Sequence, residues 1–317
     1  MNPVLESIKP VVKKSKHVKI NKENLKYVCS KFSREERCWM NESHFDLSGL
    51  SLEEKLNFIF VFNSVNFCYW GDPKWTIKYK GKQYDGALGM KASLLKALDN
   101  GIPILNAKYL ATLKREELSE ILKGNVAIPL FEERLKILRE NGRILAEKYK
   151  GEFSLVIERA NKDALKLLEI LPRDFPSFND YAFYEGRKVL FHKRVQLAIA
   201  DVYRAFKGES YGNLKNVDKL TAFADYKLPQ ILRKFGILEY SKELASKIDN
   251  KIQIPANSKE EIEIRANTIY AIELMKRELE TWIPNITSMD IDSYLWLLGQ
   301  RKSSNDKPYH RTLTIFY

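Results

Sequence analysis

Phe131, Leu135, Leu138, Gly142, Leu145 and Tyr149 recur at alternating spacings of four and three. Only a helix puts such positions on one face, so this stretch predicts one long amphipathic helix, opened by Pro129 and closed by Gly151. The same period returns elsewhere. Val195, Ala198, Ile199, Val202 and Phe206 form a second stripe ending at Gly208, and a third helix runs from about Lys259 to Trp282, stopping at Pro284. Within it Glu261 and Arg265 stand one turn apart. Ser51 with Glu54 is a capping box ahead of the helix carrying Leu56, Ile59 and Phe60. One β signal interrupts: Trp75, Ile77 and Tyr79 alternate with lysines and threonine, Lys80-Gly81 turns the chain, and Gln83-Tyr84-Asp85 returns. A helix from about Leu88 to Leu98 follows. Residues 207–216 are a loop and the best place for a seam between lobes. The pattern predicts a mainly α, compact helical fold with a small β-hairpin, preceded by a basic segment over residues 1–20.

Composition narrows the function classes. The longest apolar run, Phe58 to Phe62, lies between Asn57 and Asn63 and is far too short to span a membrane. The first twenty residues carry Lys9, Lys13, Lys14, Lys16 and Lys19 without a secretory pattern, so a cytoplasmic protein is expected. Cys29, Cys38 and Cys68 are an odd number with no close pair. With His17, His44, His192 and His310 they show no metal-ligand spacing, which points to free thiols and no metal. The net charge of +12 favours an anionic partner. The lysines are dispersed, however, and a solvated basic surface explains them equally well. There is no phosphate-binding glycine loop, dinucleotide fingerprint, nucleophile elbow or paired-histidine helix. Any chemistry must therefore rest on carboxylates, aromatics and cations.

Phe223-Ala224-Asp225-Tyr226-Lys227-Leu228-Pro229-Gln230 is the densest such segment. Pro229 cannot bond the carbonyl of Asp225, and its ring disfavours helix at Leu228, so regular helix cannot run through here. A new helix begins at Pro229, carries Ile231, Leu232 and Phe235, and meets a left-handed stop at Gly236. Asp225 is then a rigid carboxylate in apolar surroundings: an ordinary N-cap, or a charge set to act on a substrate. His44 precedes a capped helix and suits either a surface role or a site. Asn66-Phe67-Cys68-Tyr69-Trp70 is aromatic-dense, as a core segment would be. Phe191-His192-Lys193-Arg194 places three cations at a helix start. Asp292 and Trp296 lie four apart, hence on one helical face, where an acid and an indole would suit a flat heterocycle or a capped aromatic core.

Taken together, these segments resemble the queuosine salvage proteins, queuosine 5′-phosphate N-glycosidases. The resemblance runs from about Phe45 to Tyr317. It includes Asn66 to Trp70, Tyr79-Lys80-Gly81 to Gly101-Ile102-Pro103-Ile104, Pro129 to Arg134, Phe175-Pro176-Ser177-Phe178, Phe191 to Arg194 and the Asp225 segment. It closes with Glu263-Ile264-Arg265, Asp292 to Trp296 and Pro308-Tyr309-His310-Arg311 to Tyr317. His192 departs from the tyrosine expected there. The resemblance implies residues 21–317 as the salvage domain, a helical fold similar to DNA glycosylases, and hydrolysis of queuosine 5′-phosphate to free queuine for tRNA. It implies Asp225 as the catalytic carboxylate, and Phe223, His44, Asp292 and Trp296 as the wall and edge of the base site. Lys193 and Arg311 are the candidates for the ribose-phosphate end.

The implied chemistry suits these residues. Cleaving an N-ribosidic bond develops positive charge on the ribose, which a fixed carboxylate stabilises. A 7-deazapurine lacks N7, so the leaving base must be stabilised through its other edges. No metal or cofactor is needed, and no stable nucleic-acid complex is expected. A glycosylase acting on bases within DNA or RNA, and a non-catalytic nucleotide- or tRNA-binding protein, are the competing readings. The first is weakened because no glycine-rich hairpin for gripping a phosphate backbone is found. The predicted C-terminus is an extended segment with Leu313, Ile315 and Tyr317 facing the body.

Overall fold

The computed structural model describes residues 2–32, 47–300 and 306–317. Among them are fourteen α-helices and three two-stranded antiparallel sheets, a mainly α architecture. The long amphipathic stretch is the helix Phe131–Tyr149, and the next two stripes are the helices Lys193–Ala205 and Lys259–Leu279. The Ser51–Glu54 capping box forms, opening the helix Leu52–Ser64. The hairpin pairs Thr76–Tyr79 with Lys82–Asp85 across Lys80 and Gly81, both at positive φ as a two-residue hairpin turn requires. It leads into the helix Gly86–Asp99.

Two sheets were not predicted. Tyr181–Tyr184 pairs with Arg187–Leu190 across Glu185-Gly186, and Val18–Ile20 pairs with Leu238–Tyr240 from far along the chain. The first twenty residues are packed: in the helix Pro3–Lys14, the apolar positions Val4, Ile8 and Val11 are buried against the Tyr181–Leu190 hairpin and the long helix Lys259–Leu279.

Buried side chains form three large apolar clusters. The largest is built from the helices Leu52–Ser64, Gly86–Asp99, Phe131–Tyr149 and Lys193–Ala205; the second joins Lys22–Ser30, Lys227–Lys234, Lys259–Leu279 and Ser288–Leu298; the third surrounds the N-terminal helix. Three consecutive residues link them. Phe223 belongs to the first cluster, Ala222 to the second and Ala224 to the third. A segment anchored in three cores cannot shift without disturbing all of them, because packed interiors are close to solid. Asp225 is the next residue.

Candidate active site

An open cavity of ≈ 1070 Å³, counted to its mouth, lies beside that junction. Lys193, Phe223, Asp225, Asp292 and Trp296 all line it, so five of the seven predicted site residues converge. His44 lies outside the described residues. Arg311 does not line the cavity: its Nη2 donates to Asp72 Oδ2 at 2.5 Å and its guanidinium lies 5.7 Å from the Trp70 ring centre. Its guanidinium is matched to the Asp72 carboxylate in this structure.

The backbone around Asp225 is fixed at successive points. The Phe223 amide donates to Asp292 Oδ2 (2.7 Å), the Ala224 carbonyl accepts from Arg265 Nε (3.4 Å), and Asp225 Oδ1 accepts from the amides of Lys227 (2.8 Å) and Leu228 (2.9 Å). The last pair starts the helix at Lys227 rather than at Pro229. Pro229 falls in the first turn, where an amide would have had no helical partner anyway. Asp225 is thus a helix cap through Oδ1, and it also lines the cavity. Oδ2 has no hydrogen-bond partner among the described residues.

Burial sets the electrostatics. Desolvation pushes the Asp292 carboxyl up to about 7, a rise reinforced by the neighbouring charge of Asp225 and opposed by the Phe223 amide. Desolvation lowers the pKa of the Lys193 ammonium, while Asp225, Asp292 and Asp201 pull the other way. Asp201, which accepts from Asn63 Nδ2 at 2.9 Å, is itself pushed up to about 6 by burial. Lys193 therefore feels the charges of Asp225, Asp292 and Asp201, and the carboxyls of Asp292 and Asp201 are the two that burial holds near neutrality.

Two buried arginines shape the opposite wall. Arg134 donates to the carbonyls of Val65, Phe67 and Cys68, and Arg194 to those of Asn63, Ser64 and Ser177. Their guanidinium carbons lie 4.2 and 5.1 Å from the Phe67 ring centre. They supply donors to a turn whose carbonyls helix or sheet would otherwise satisfy. That turn presents Asn66, Phe67 and Tyr69 to the cavity. The aromatic density there is both core and wall.

Sequence reasoning missed the tyrosines and outer lysines. The Tyr226 and Tyr309 rings pack tilted at 44° with centres 4.8 Å apart, and Lys74 and Lys227 lie 5.9 and 5.3 Å from the Tyr309 ring; all four line the cavity. Tyr317 lines it too, donating its hydroxyl to Glu261 Oε1 at 2.9 Å. The C-terminal strand faces the opposite way from expectation over 312–314: Thr312 and Thr314 are buried and Leu313 is 45% exposed. The Trp70 indole donates to the Thr312 carbonyl and the Cys68 amide to the Tyr317 carbonyl, so the register is set by backbone acceptors rather than by apolar alternation. Among the described residues no group of histidine, cysteine and acidic side chains could hold a metal ion. No described helix is long and apolar enough to cross a membrane.

Comparison with known proteins bears directly on this cavity. The sequence model of the family described as queuosine salvage protein matches residues 46–317. The chain belongs to the queuosine salvage protein family. A relative from Sphaerobacter thermophilus, named queuosine 5′-phosphate N-glycosylase/hydrolase, is 40% identical over 317 residues, covering 99% of this chain and 97% of that protein. Relatives of the same name from Mus musculus and Dictyostelium discoideum are 33% and 32% identical, with 98% of each chain covered in the first case and 100% in the second. The queuosine salvage match spans every cavity-lining residue discussed above.

Proposed function

We propose that this chain hydrolyses the N-glycosidic bond of queuosine 5′-phosphate and releases queuine for reuse in tRNA. The observation that carries the reading is Asp225. Its Oδ1 accepts from two backbone amides, which fixes the carboxylate, and the residue lines the cavity together with Lys193, Phe223, Asp292 and Trp296. Relatives over nearly the full chain carry that activity in their names.

In this reading the bonding pair of the C1′–N bond leaves with the base, and the ribose carries the positive charge. The Asp225 carboxylate meets that charge, either as an ion pair or by bonding to C1′; the same oxygen serves both. Water supplies hydroxide to C1′ and a proton to the base. Asp292 meets the guanine-like edge, with Oδ2 already tied to the Phe223 amide and Oδ1 left for the ligand. Phe223 and Trp296 supply the apolar faces. Lys193 serves the ribose beside Asp225, and Lys74 and Lys227 take the 5′-phosphate at the Tyr309 end. Two free buried cysteines, Cys29 and Cys68, suit the reducing cytoplasm.

The test is product release. Incubated separately with queuosine 5′-phosphate and with queuosine-containing tRNA, the protein should free queuine from the mononucleotide alone. Release from tRNA, or from neither, would contradict the proposal.

A further inference from the structure

Behind the cavity wall lies a buried ion cluster that the reaction scheme does not use. Arg265 is 2% exposed and sits in the second turn of the helix Lys259–Leu279. Its Nη1 and Nη2 donate to the two oxygens of Asp180 at 2.9 and 2.6 Å, and Nη1 lies 3.6 Å from Glu261 Oε1. Its remaining donor reaches the Ala224 carbonyl, one residue before Asp225. Asp180 in turn accepts from the Lys193 amide through Oδ2 at 3.2 Å, while its own carbonyl takes the amides of Phe191 and His192. The guanidinium is packed between the Phe191 and Tyr317 rings at 3.9 and 4.5 Å from their centres. One side chain therefore joins the segment leading to Asp225, the helix start carrying Lys193, and the ring of Tyr317 that lines the cavity.

Such a cluster is a poor device for stability alone. Desolvating an arginine and an aspartate costs several kcal/mol, and apolar residues of equal volume often serve a fold as well or better. What an ionic fork supplies is direction: planar, two-pronged geometry that fixes distance and angle together.

We propose that Arg265 is a positioning residue, which sets the Asp225 carboxylate against Lys193 by gripping the backbone beside each. This rests on the reading of Asp225 as the group that meets the ribosyl cation. A shift of about 1 Å between such groups can cost on the order of 100-fold in rate without loss of binding.

The test is steady-state queuine release by the full chain, with melting temperature followed in parallel. Arg265→Lys keeps the charge but not the fork. It should lower kcat about 10- to 100-fold and change KM less than about threefold. Asp180→Leu with Glu261→Gln and Arg265→Met removes all three charges of the cluster at similar volume; it should fold, because no buried charge is left unpaired, and still show the kcat loss. Asp180→Asn, the mildest change, serves if either of these fails to fold. Folded variants with wild-type kcat, differing only in melting temperature, would overturn the proposal. Asp225→Asn in the same assay separates the two ideas. An inactive Asp225→Asn beside a fully active Arg265→Lys overturns this inference alone, and a fully active Asp225→Asn overturns both.

Discussion

Asp292→Asn should make the ligand-free protein more stable and a worse binder, and the stability gain should grow with pH. Burial holds the Asp292 carboxyl at about 7 in the folded chain, against an ordinary value of 3.8. Between those values the unfolded chain has released its proton and the folded chain has kept it, so folding becomes less favourable as pH rises through the window. The loss begins near the unfolded value and is complete above about 7. Over pH 5 to 8 it comes to about 2–3 kcal/mol, at 1.36 kcal/mol per pH unit. Asparagine keeps an oxygen for the Phe223 amide and cannot ionise, so it escapes this loss while every other titrating group is common to both proteins. Unfolding a chain of this length carries an entropy of roughly 0.7 kcal/mol/K. The melting temperature of the variant relative to wild type should therefore rise by about 4 °C between pH 5 and pH 8, read by differential scanning fluorimetry without ligand. Over the same change, affinity for the base should fall by about 10- to 100-fold, the worth of hydrogen bonds to a charged group. A difference in melting temperature that is flat with pH would refute the account of Asp292 as a carboxylate held near neutrality by burial.

Trp296→Ala should weaken binding of every base tested by about 1–3 kcal/mol, as loss of a stacking aromatic does, measured by calorimetry; unchanged affinity would return Trp296 to the core. Lys227→Ala should raise KM for the 5′-phosphate about tenfold more than for the unphosphorylated nucleoside, whereas Arg311→Ala, already paired with Asp72, should raise both equally or neither. A selective loss in Arg311→Ala would move the phosphate to that side of the mouth.

The helices were legible because their signals are local. The four-three spacing from Phe131 to Tyr149 and the Ser51–Glu54 box each lie within one element, and both formed. The hairpin Tyr181–Leu190 has an equally local turn in Glu185-Gly186, but its Tyr-Ala-Phe-Tyr strand lacks the apolar–polar alternation that marks a half-buried strand. The pairing of Val18–Ile20 with Leu238–Tyr240 had no local signal at all. The site divides in the same way. Asp292 and Trp296 are one helical turn apart and could be placed together from spacing. The pairing of Arg311 could not be read, because Asp72 is distant in sequence and only the fold brings it near. Nor could the sequence show that the Asp225 cap also lines a cavity, since the other lining residues come from elements distant in the chain.

The central claim is that the Asp225 carboxylate meets the ribosyl cation, and single-turnover queuine release by Asp225→Asn tests it most directly. Asparagine retains an oxygen for the Lys227 and Leu228 amides, so the cap and the helix it starts are kept while the charge is lost. The account predicts a folded protein that still binds queuosine 5′-phosphate and releases queuine about 100- to 1000-fold more slowly, the usual cost of removing a group that stabilises transition-state charge. A variant that melts earlier yet releases queuine at the wild-type rate would show that Asp225 is only a cap.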